Sequence, residues 1–506
     1  MTTNCRVFFA GTLAAMLALP LSGRADVKLP AIFGDNMVLQ GEAKIPVWGT
    51  ADPGEKVEVR VSVPVVAADG KAAGQARQAT ADEQGRWKIV LDPLPAVDEA
   101  IGFVVTGKNK LTLENVIVGD VWVASGQSNM EWSVTRSDNA KEEIAAAKHP
   151  SIRLFQVRKT VASDAPAADV VGKWVVCSPE TIPGFSAVAY FFGREIQAVT
   201  RRPIGLIGTY WGGTPAEAWT SSEKLAADDR FDPILKRWAE IDAKAAAGES
   251  DASRQGALGP KHPHHPAGLF NGMIAPIVPF AIKGAIWYQG ESNASRAYQY
   301  RHLFPAMITD WRERWEQGDF PFLFVQLANW RERKDQPAES DWAELREAQS
   351  MTLVLPNTGQ AVIIDIGEAG DIHPTNKQDV GKRLALAALK VAYGKNDIVY
   401  SGPTFADATF GDGKAVLTFK NVGSGLEAKE GSLKGFSLAG EDRVFKWADA
   451  RIDGDKIVVT SMEVPNPVAV RYAWADNPEA TLYNAEGLPA SPFRSDEWPG
   501  VTVEAK

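Results

Sequence analysis

Ser128 lies in Val121–Trp132, VWVASGQSNMEW, where a nucleophile can stand clear of the chain around it. Val121 to Ala124 read as the end of a buried strand, and Gly126 lets the backbone turn sharply after it. Backbone N–H groups beyond such a turn can face a developing oxyanion. Most serines after strands are turn formers or helix caps, so this one needs a base before it means catalysis. The stretch Asp371-Ile372-His373-Pro374-Thr375-Asn376-Lys377-Gln378 offers one, because an Asp just before a loop His can orient the imidazole as a general base. Three carboxylates compete to do so. Asp365 falls in an expected strand, opposite in direction to Ile364 and Ile366, which turns it toward a helix. Glu368 is five residues from His373 with Gly367 and Gly370 beside it, so its reach depends on the loop path. Asp371 is two residues away, on the same side of an extended segment, and is the expected partner.

Two more stretches have residue types suited to the same chemistry. Tyr210-Trp211-Gly212-Gly213-Thr214-Pro215 has two glycines that let backbone N–H groups approach a ligand, although a tight turn alone would use them too. Trp287-Tyr288-Gln289-Gly290-Glu291-Ser292-Asn293 offers amide donors to an oxyanion; the alternative is a helix cap at Ser292 or Asn293. His262, His264 and His265 cluster in a proline-stiffened loop without a cysteine or a helical His pair, which reads as a non-metal loop bordering the site.

All these stretches need a common edge. From about Asn115, candidate strands Val116–Ala124, Pro203–Tyr210, Lys283–Gln289, Pro321–Leu327 and Ala361–Ile366 alternate with helical patterns. One such pattern is Phe185, Val188, Ala189, Phe192, Ile196 and Val199 on a single face. Continuous apolar strands between helices predict a parallel sheet covered on both faces, with its site outside the C-terminal strand ends. Residues 116–395 are therefore expected to form an α/β domain, with a helical and loop insertion at 221–268 serving as a lid or side wall. Residues 26–115 carry short, turn-punctuated apolar runs that predict a β-sandwich-like domain. Residues 396–506 return to β character, with Asp453-Gly454 as a hairpin signal. These flanking domains read as supports or as carbohydrate-facing modules.

Residues 1–25 read as a cleaved secretory signal: one early positive charge, the apolar run Val7–Leu21, and small residues at Gly23 and Ala25. Export to the periplasm or medium is expected, with no membrane attachment after cleavage. Cleavage removes Arg6, Arg24 and no acid, so the formal charge falls from −9 to −11. It also leaves Cys177 as the sole cysteine, which excludes an intramolecular disulfide. An acidic chain without basic clusters argues against a nucleic-acid partner. At 506 residues and 45% apolar content, two or three domains with large cores are expected.

Val123–Trp132, Trp211–Ala218, Gly268–Pro279, Trp287–Ala294, Asp371–Leu386 and Tyr472–Pro492 together resemble the sialate O-acetylesterase-like family of SGNH (GDSL-type) hydrolases. GQSNMEW, WYQGESNA and DIHPTNKQ carry most of that resemblance, which runs from about Leu29 to near the C-terminus. It implies a flavodoxin-like hydrolase domain flanked by β domains, and removal of O-acetyl groups from sugars without metal or cofactor. Ser128 matches the family's nucleophile and His373 its base. Gly213 (or Gly212) and the Gln289–Asn293 stretch match its oxyanion blocks, giving Ser128, Gly213 and Asn293 as expected donors. Gln127, Trp211, Gln289 and Glu291 are expected to border the acetylated glycan. The chain departs from the wider superfamily twice: Asp371-x-His373 replaces D-x-x-H, and Gly290 stands three residues from Asn293 where G-x-N is usual. Acetylated sialic acids and acetylated plant polysaccharides such as xylan or xyloglucan both fit the resemblance. A carbohydrate-binding protein without activity is the reading from a different class.

Overall fold

The computed structural model describes residues 1–2, 26–64 and 74–505. The expected signal, residues 1–25, lies outside these apart from its first two positions. No helix among the described residues is long and apolar enough to cross a membrane.

A single long strand organises the molecule. β1, Lys110–Gly126, has 17 residues and two burial regimes. Its first six residues alternate between exposed and half-buried, as a strand with one solvated face does. Its last eleven are all buried, as in a parallel sheet covered on both faces. The first part pairs antiparallel with Val97–Thr106, which pairs in turn with Lys56–Ser62 in the N-terminal β domain. The second part is the centre of the parallel sheet, so the expected boundary at 115/116 falls inside one continuous strand.

The parallel sheet adds β2 (His149–Gln156), β3 (Trp174–Cys177), β4 (Ile204–Tyr210), β5 (Gly284–Tyr288), β6 (Phe322–Val325) and β7 (Thr358–Ala361). Its order is β7-β6-β5-β1-β4-β2-β3, parallel throughout except for β3 at the edge. Helices cover both faces: α1 (Ser128–Glu131), α2 (Ala187–Thr200), α3 (Asp232–Ala246), α4 (Ala297–Trp315), α5 (Asp341–Met351) and α6 (Lys377–Val391). This is the expected α/β hydrolase architecture with flanking all-β sheets. Helix α2 starts on Ser186, whose Oγ accepts the Ala189 N–H at 3.1 Å, and stops at Arg201, which turns left-handed before Pro203. It packs on α6, where Gly381 permits the approach: a Cβ there would lie 2.6 Å from Phe191 Cβ.

The last strand departs from expectation. The apolar run Ala361–Ile366 contributes only Ala361 to β7, which begins earlier, at Thr358. Ile363 is buried in the main core, whereas Val362 and Ile364 pack into the C-terminal domain's core. The run is apolar because it lies between two cores, not because it continues the ladder. Helices α3 and Ser222–Ala226, with the short hairpin Ala252–Ser253/Gly256–Ala257, make up the insertion.

The C-terminal domain contains two four-stranded antiparallel arrays, and Asp449–Asp453 and Lys456–Thr460 form the expected hairpin. It is clamped to the hydrolase domain by Arg346 of α5, a fully buried guanidinium. Arg346 donates to the Leu327 and Ala328 carbonyls at 2.8 and 2.7 Å, and to the Ala475 and Asp476 carbonyls at 2.7 and 3.0 Å. Methionine fills similar volume but donates nothing, and each buried acceptor left unpaired costs roughly 1–3 kcal/mol. Arg346→Met is therefore expected to lower the unfolding free energy by about 3 kcal/mol or more. Guanidinium denaturation checks this; an unchanged midpoint would contradict the clamp.

Candidate active site

Strand register brings the predicted site together. Ser125 of β1 is level with Thr209 of β4 and with Trp287 of β5, and Gly126 is level with Tyr210 and Tyr288. The loops that follow these strands therefore open on one edge. Gly126 adopts φ +134°, and a Cβ there would overlap the Tyr288 carbonyl oxygen. That close approach lets the Gln127 N–H donate to the same carbonyl at 3.0 Å. Ser128 then becomes the first residue of α1, where its own N–H has no earlier helical carbonyl to bond.

His373 reaches this turn from the loop before α6. Its Nε2 is 2.9 Å from Ser128 Oγ, and its Nδ1 is 3.0 Å from Asp371 Oδ1. Asp371 Oδ1 also accepts the His373 backbone N–H at 2.9 Å, which fixes the carboxylate to the segment it orients. The other two carboxylates are engaged elsewhere. Asp365 makes a two-pronged pair with Arg383 of α6 at 2.6 and 2.8 Å, and Glu368 accepts from the Thr375 N–H and hydroxyl at 3.3 and 3.2 Å. The Asp371 side chain is 52% exposed and that of His373 25%, so solvent screens their ion pair in part.

The Trp132 ring stacks on the imidazole, centroids 5.0 Å apart at 19°. The Arg136 guanidinium covers Trp132 at 3.5 Å from its centroid, and the Trp132 Nε1–H donates to the Arg136 carbonyl at 2.8 Å. Burial lowers the His373 pKa below the usual imidazole value; Asp371 works against that, and the Lys377 and Arg136 charges add to it. The imidazole is thereby kept neutral and able to accept a proton further into the acid range.

The cleft above Ser128 and His373 measures about 530 Å³, and Glu131, Arg136, Gln156, Lys159 and Tyr210 line it as well. The Glu131 carboxylate accepts the Gly212 N–H at 2.7 Å and pairs with Lys159 at 2.6 Å. Gly212 is therefore committed to shaping the loop. Gly213, at φ +74°, follows it beneath Gln255 of the insertion, whose Nε2 donates to the Gly212 carbonyl at 2.8 Å. The insertion thus forms a wall next to Ser128.

The remaining sequence-predicted residues are buried or half-buried. Asn293 is buried; its Oδ1 accepts from the Ala216 N–H at 2.9 Å and Gln289 Nε2 at 2.6 Å, and its Nδ2 donates to Glu217 at 2.9 Å. Those contacts use one of its two amide N–H groups. Gln289 is fully buried, bonded to Asn293, the Thr214 carbonyl and the Tyr300 hydroxyl, and does not line the cleft. Gln127 Oε1 faces the Ser292 N–H at 3.3 Å, and Glu291 accepts from Asn129 at 2.6 Å. Trp211 is half-buried beside Lys159, whose Nζ is 5.3 Å from its ring centroid. Arg136, Gln156 and Lys159 carry no sequence signal, since exposed polar side chains are ordinary. The histidine cluster is packed within the insertion, His262 on Ser253 at 2.8 Å and His265 on Asp242 at 3.0 Å. No group of three metal-ligating side chains is found among the described residues.

The model of a family described as carbohydrate esterase, sialic acid-specific acetylesterase, matches residues 118–258 and 268–390. The human sialate O-acetylesterase is 30% identical over 96% of this chain and 97% of its own length. The mouse protein of that name is 30% identical over 92% and 93%. The crystal structure of a carbohydrate acetylesterase from Xanthomonas citri superposes with a TM-score of 0.81, at 41% identity, covering 93% of this chain and 100% of that one. A match over half the chain, with relatives this similar along almost all of it, means that the protein belongs to the carbohydrate esterase family of sialic acid-specific acetylesterases and is a carboxylic ester hydrolase.

Proposed function

We propose that this protein is an exported serine esterase that removes O-acetyl groups from carboxylated sugars of the sialic acid type. The observation that carries the serine mechanism is the continuous line Ser128 Oγ–His373 Nε2 at 2.9 Å and His373 Nδ1–Asp371 at 3.0 Å. His373 takes the proton as Ser128 Oγ attacks the acetyl carbonyl. The N–H groups of Ser128 and Gly213 and the spare Asn293 amide N–H stabilise the oxyanion. The sugar oxygen leaves with the proton returned by His373, and water, deprotonated by the same imidazole, then frees acetate and regenerates Ser128. A binding protein without activity has no need of this alignment.

Charge in the cleft supports the acidic substrate. Lys159 is neutralised by Glu131. Arg136 is exposed, stacked on Trp132, and makes no ion pair or side-chain hydrogen bond among the described residues. A sugar carboxylate is its complement. Acetylated xylan and xyloglucan lack that carboxylate on their acetylated residues and are the competing substrates. Arg136→Ala should raise KM for O-acetylated sialic acid by about tenfold or more, the worth of one charge-assisted contact, and leave 4-nitrophenyl acetate hydrolysis within twofold. Faster acetate release from the plant polymers than from sialic acid would overturn this choice of substrate. The apolar run Val7–Leu21 is the ground for export, and an exported protein whose intact mass retains Met1 would refute a cleaved signal.

Three measurements test the mechanism. Ser128→Ala should abolish acetate release. Asp371→Asn should lower kcat about 10²-fold, less than the ~10⁴-fold known where the acid is buried, because Asp371 is half exposed. An Asp371→Asn variant with full kcat would make the site a Ser128–His373 dyad. The acid limb of kcat/KM should have its midpoint below the ordinary histidine value of about 6.5, because burial disfavours the imidazolium and activity needs the neutral ring. A midpoint above that value would mean another group is the base.

A further inference from the structure

Directly behind Ser128 and His373 lies a buried charged pair that the reaction as derived does not use. Lys377 is the first residue of α6 and is fully buried. Its Nζ donates to Asn129 Oδ1 at 2.6 Å. The Asn129 amide nitrogen donates in turn to Glu291 Oε1 at 2.6 Å and to the Ile372 carbonyl at 3.0 Å. Glu291 as a residue is half-buried, yet its Oε2 is closed off from solvent and has no hydrogen-bond partner. The buried Tyr288 hydroxyl is unpartnered as well, and Lys377 Nζ is 5.3 Å from that ring's centroid. Three segments meet here: Asn129 is the residue after Ser128, Ile372 the residue before His373, and Glu291 follows β5. Burying a lysine and a glutamate costs free energy, and well-packed apolar groups would stabilise the fold as well or better. The pair therefore calls for an explanation other than stability.

We propose that Glu291, Asn129 and Lys377 are positioning residues, a clasp that locks the His373 loop in register with the Ser128 turn. Asn129 is suited to this because its amide has both a donor and an acceptor end, so one short side chain fixes the Ile372 carbonyl and both charges at once. The clasp touches neither substrate nor reacting atoms. It acts on the Ser128–His373 separation, on which proton transfer depends steeply. Lys377 also places a positive charge near the imidazole. Burial lowers the Lys377 pKa to about 7, with Glu291, Asp371 and Glu368 opposing and Arg136 adding to that. Burial raises that of Glu291.

The inference rests on the serine-esterase reading, and the experiment separates the two. Steady-state hydrolysis of 4-nitrophenyl acetate is measured from pH 5 to 9 for the parent, Lys377→Met, Glu291→Leu and Ser128→Ala, each with its melting temperature. Lys377→Met should lower kcat by up to ~100-fold, the scale of an ångström-sized misplacement, with KM within about twofold. Its acid limb should move to higher pH, because removing the ammonium leaves burial and the Arg136 charge alone against Asp371, which favours the imidazolium. Glu291→Leu keeps similar volume but removes the acceptor of the Asn129 amide, so it tests the clasp should Lys377→Met fail to fold, and it should lose ~10-fold or more in kcat. Full kcat in whichever of the two variants folds, or a kcat loss in Lys377→Met with an unmoved acid limb, overturns the clasp. Activity in Ser128→Ala would instead overturn the serine reading on which it stands.

Discussion

The site depends on one close approach, Gly126 against the carbonyl of Tyr288. No side chain fits between β1 and β5 at that point. Because the strands come together there, their ends are level, and the loop bearing Ser128 leaves the sheet beside the loop bearing Glu291 and Asn293. Parallel pairing with β4 on the other side does the same for Gly212 and Gly213. A one-residue slip in either pairing would turn every side chain of the strand over and misplace its loop. Continuous burial on both faces of β4, β5 and the last eleven residues of β1 holds the register.

Charge is divided by depth around this edge. Asp371 and His373 lie where solvent reaches them, and the pair is correspondingly screened. The groups behind them are buried and bonded at several points. Glu217, buried, is held below the usual carboxylate range: burial pushes it up, but Arg296 at 2.7 Å and Asn293 outweigh that. Such networks are costly when incomplete, so they admit few alternative arrangements. Solvent-reached groups can exchange protons with water, while the buried framework keeps Ser128, His373 and Asp371 at bonding distance.

The sequence shows the skeleton of this arrangement because its signals are local. Continuous apolar runs ending in Ser-Gly, Tyr-Trp-Gly-Gly and Gln-Gly-Glu foretell strands and the loops at their ends, and Asp371, two residues before His373, meets its ring as an extended segment predicts. What escapes is direction. Gln289 and Asn293 have the chemistry of oxyanion donors, yet Gln289 is turned inward by Tyr300, in the next helix, and by Thr214, 75 residues away. Asn129 and Lys377 lie inside recognisable motifs, but 248 residues separate them, and no periodicity announces that they touch. The end of β7 was unreadable for a related reason: an apolar residue reports burial, not which of two cores buries it.

The flanking β domains are not appendages to this framework. The N-terminal domain shares β1 with the hydrolase sheet, so it cannot pivot without bending the strand that carries Ser128. The C-terminal domain reaches the histidine by a short relay. Asn477 accepts from the Asn329 amide nitrogen at 2.8 Å, and Asn329 Oδ1 accepts the Gly367 N–H at 2.7 Å. The Arg331 N–H donates to the Ala369 carbonyl at 3.2 Å, while its guanidinium pairs with Asp476 at 3.2 Å. Gly367 and Ala369 begin the loop that ends in Asp371 and His373. A side chain from each of two asparagines therefore ties the last domain to the position of His373. Loops without regular structure are the mobile parts of most folds, and this one is held at its start by the C-terminal domain, at Ile372 by Asn129, and at its end by α6. Ser128 and His373 thus come from segments 245 residues apart, and each is fixed by a β domain as well as by the sheet between them.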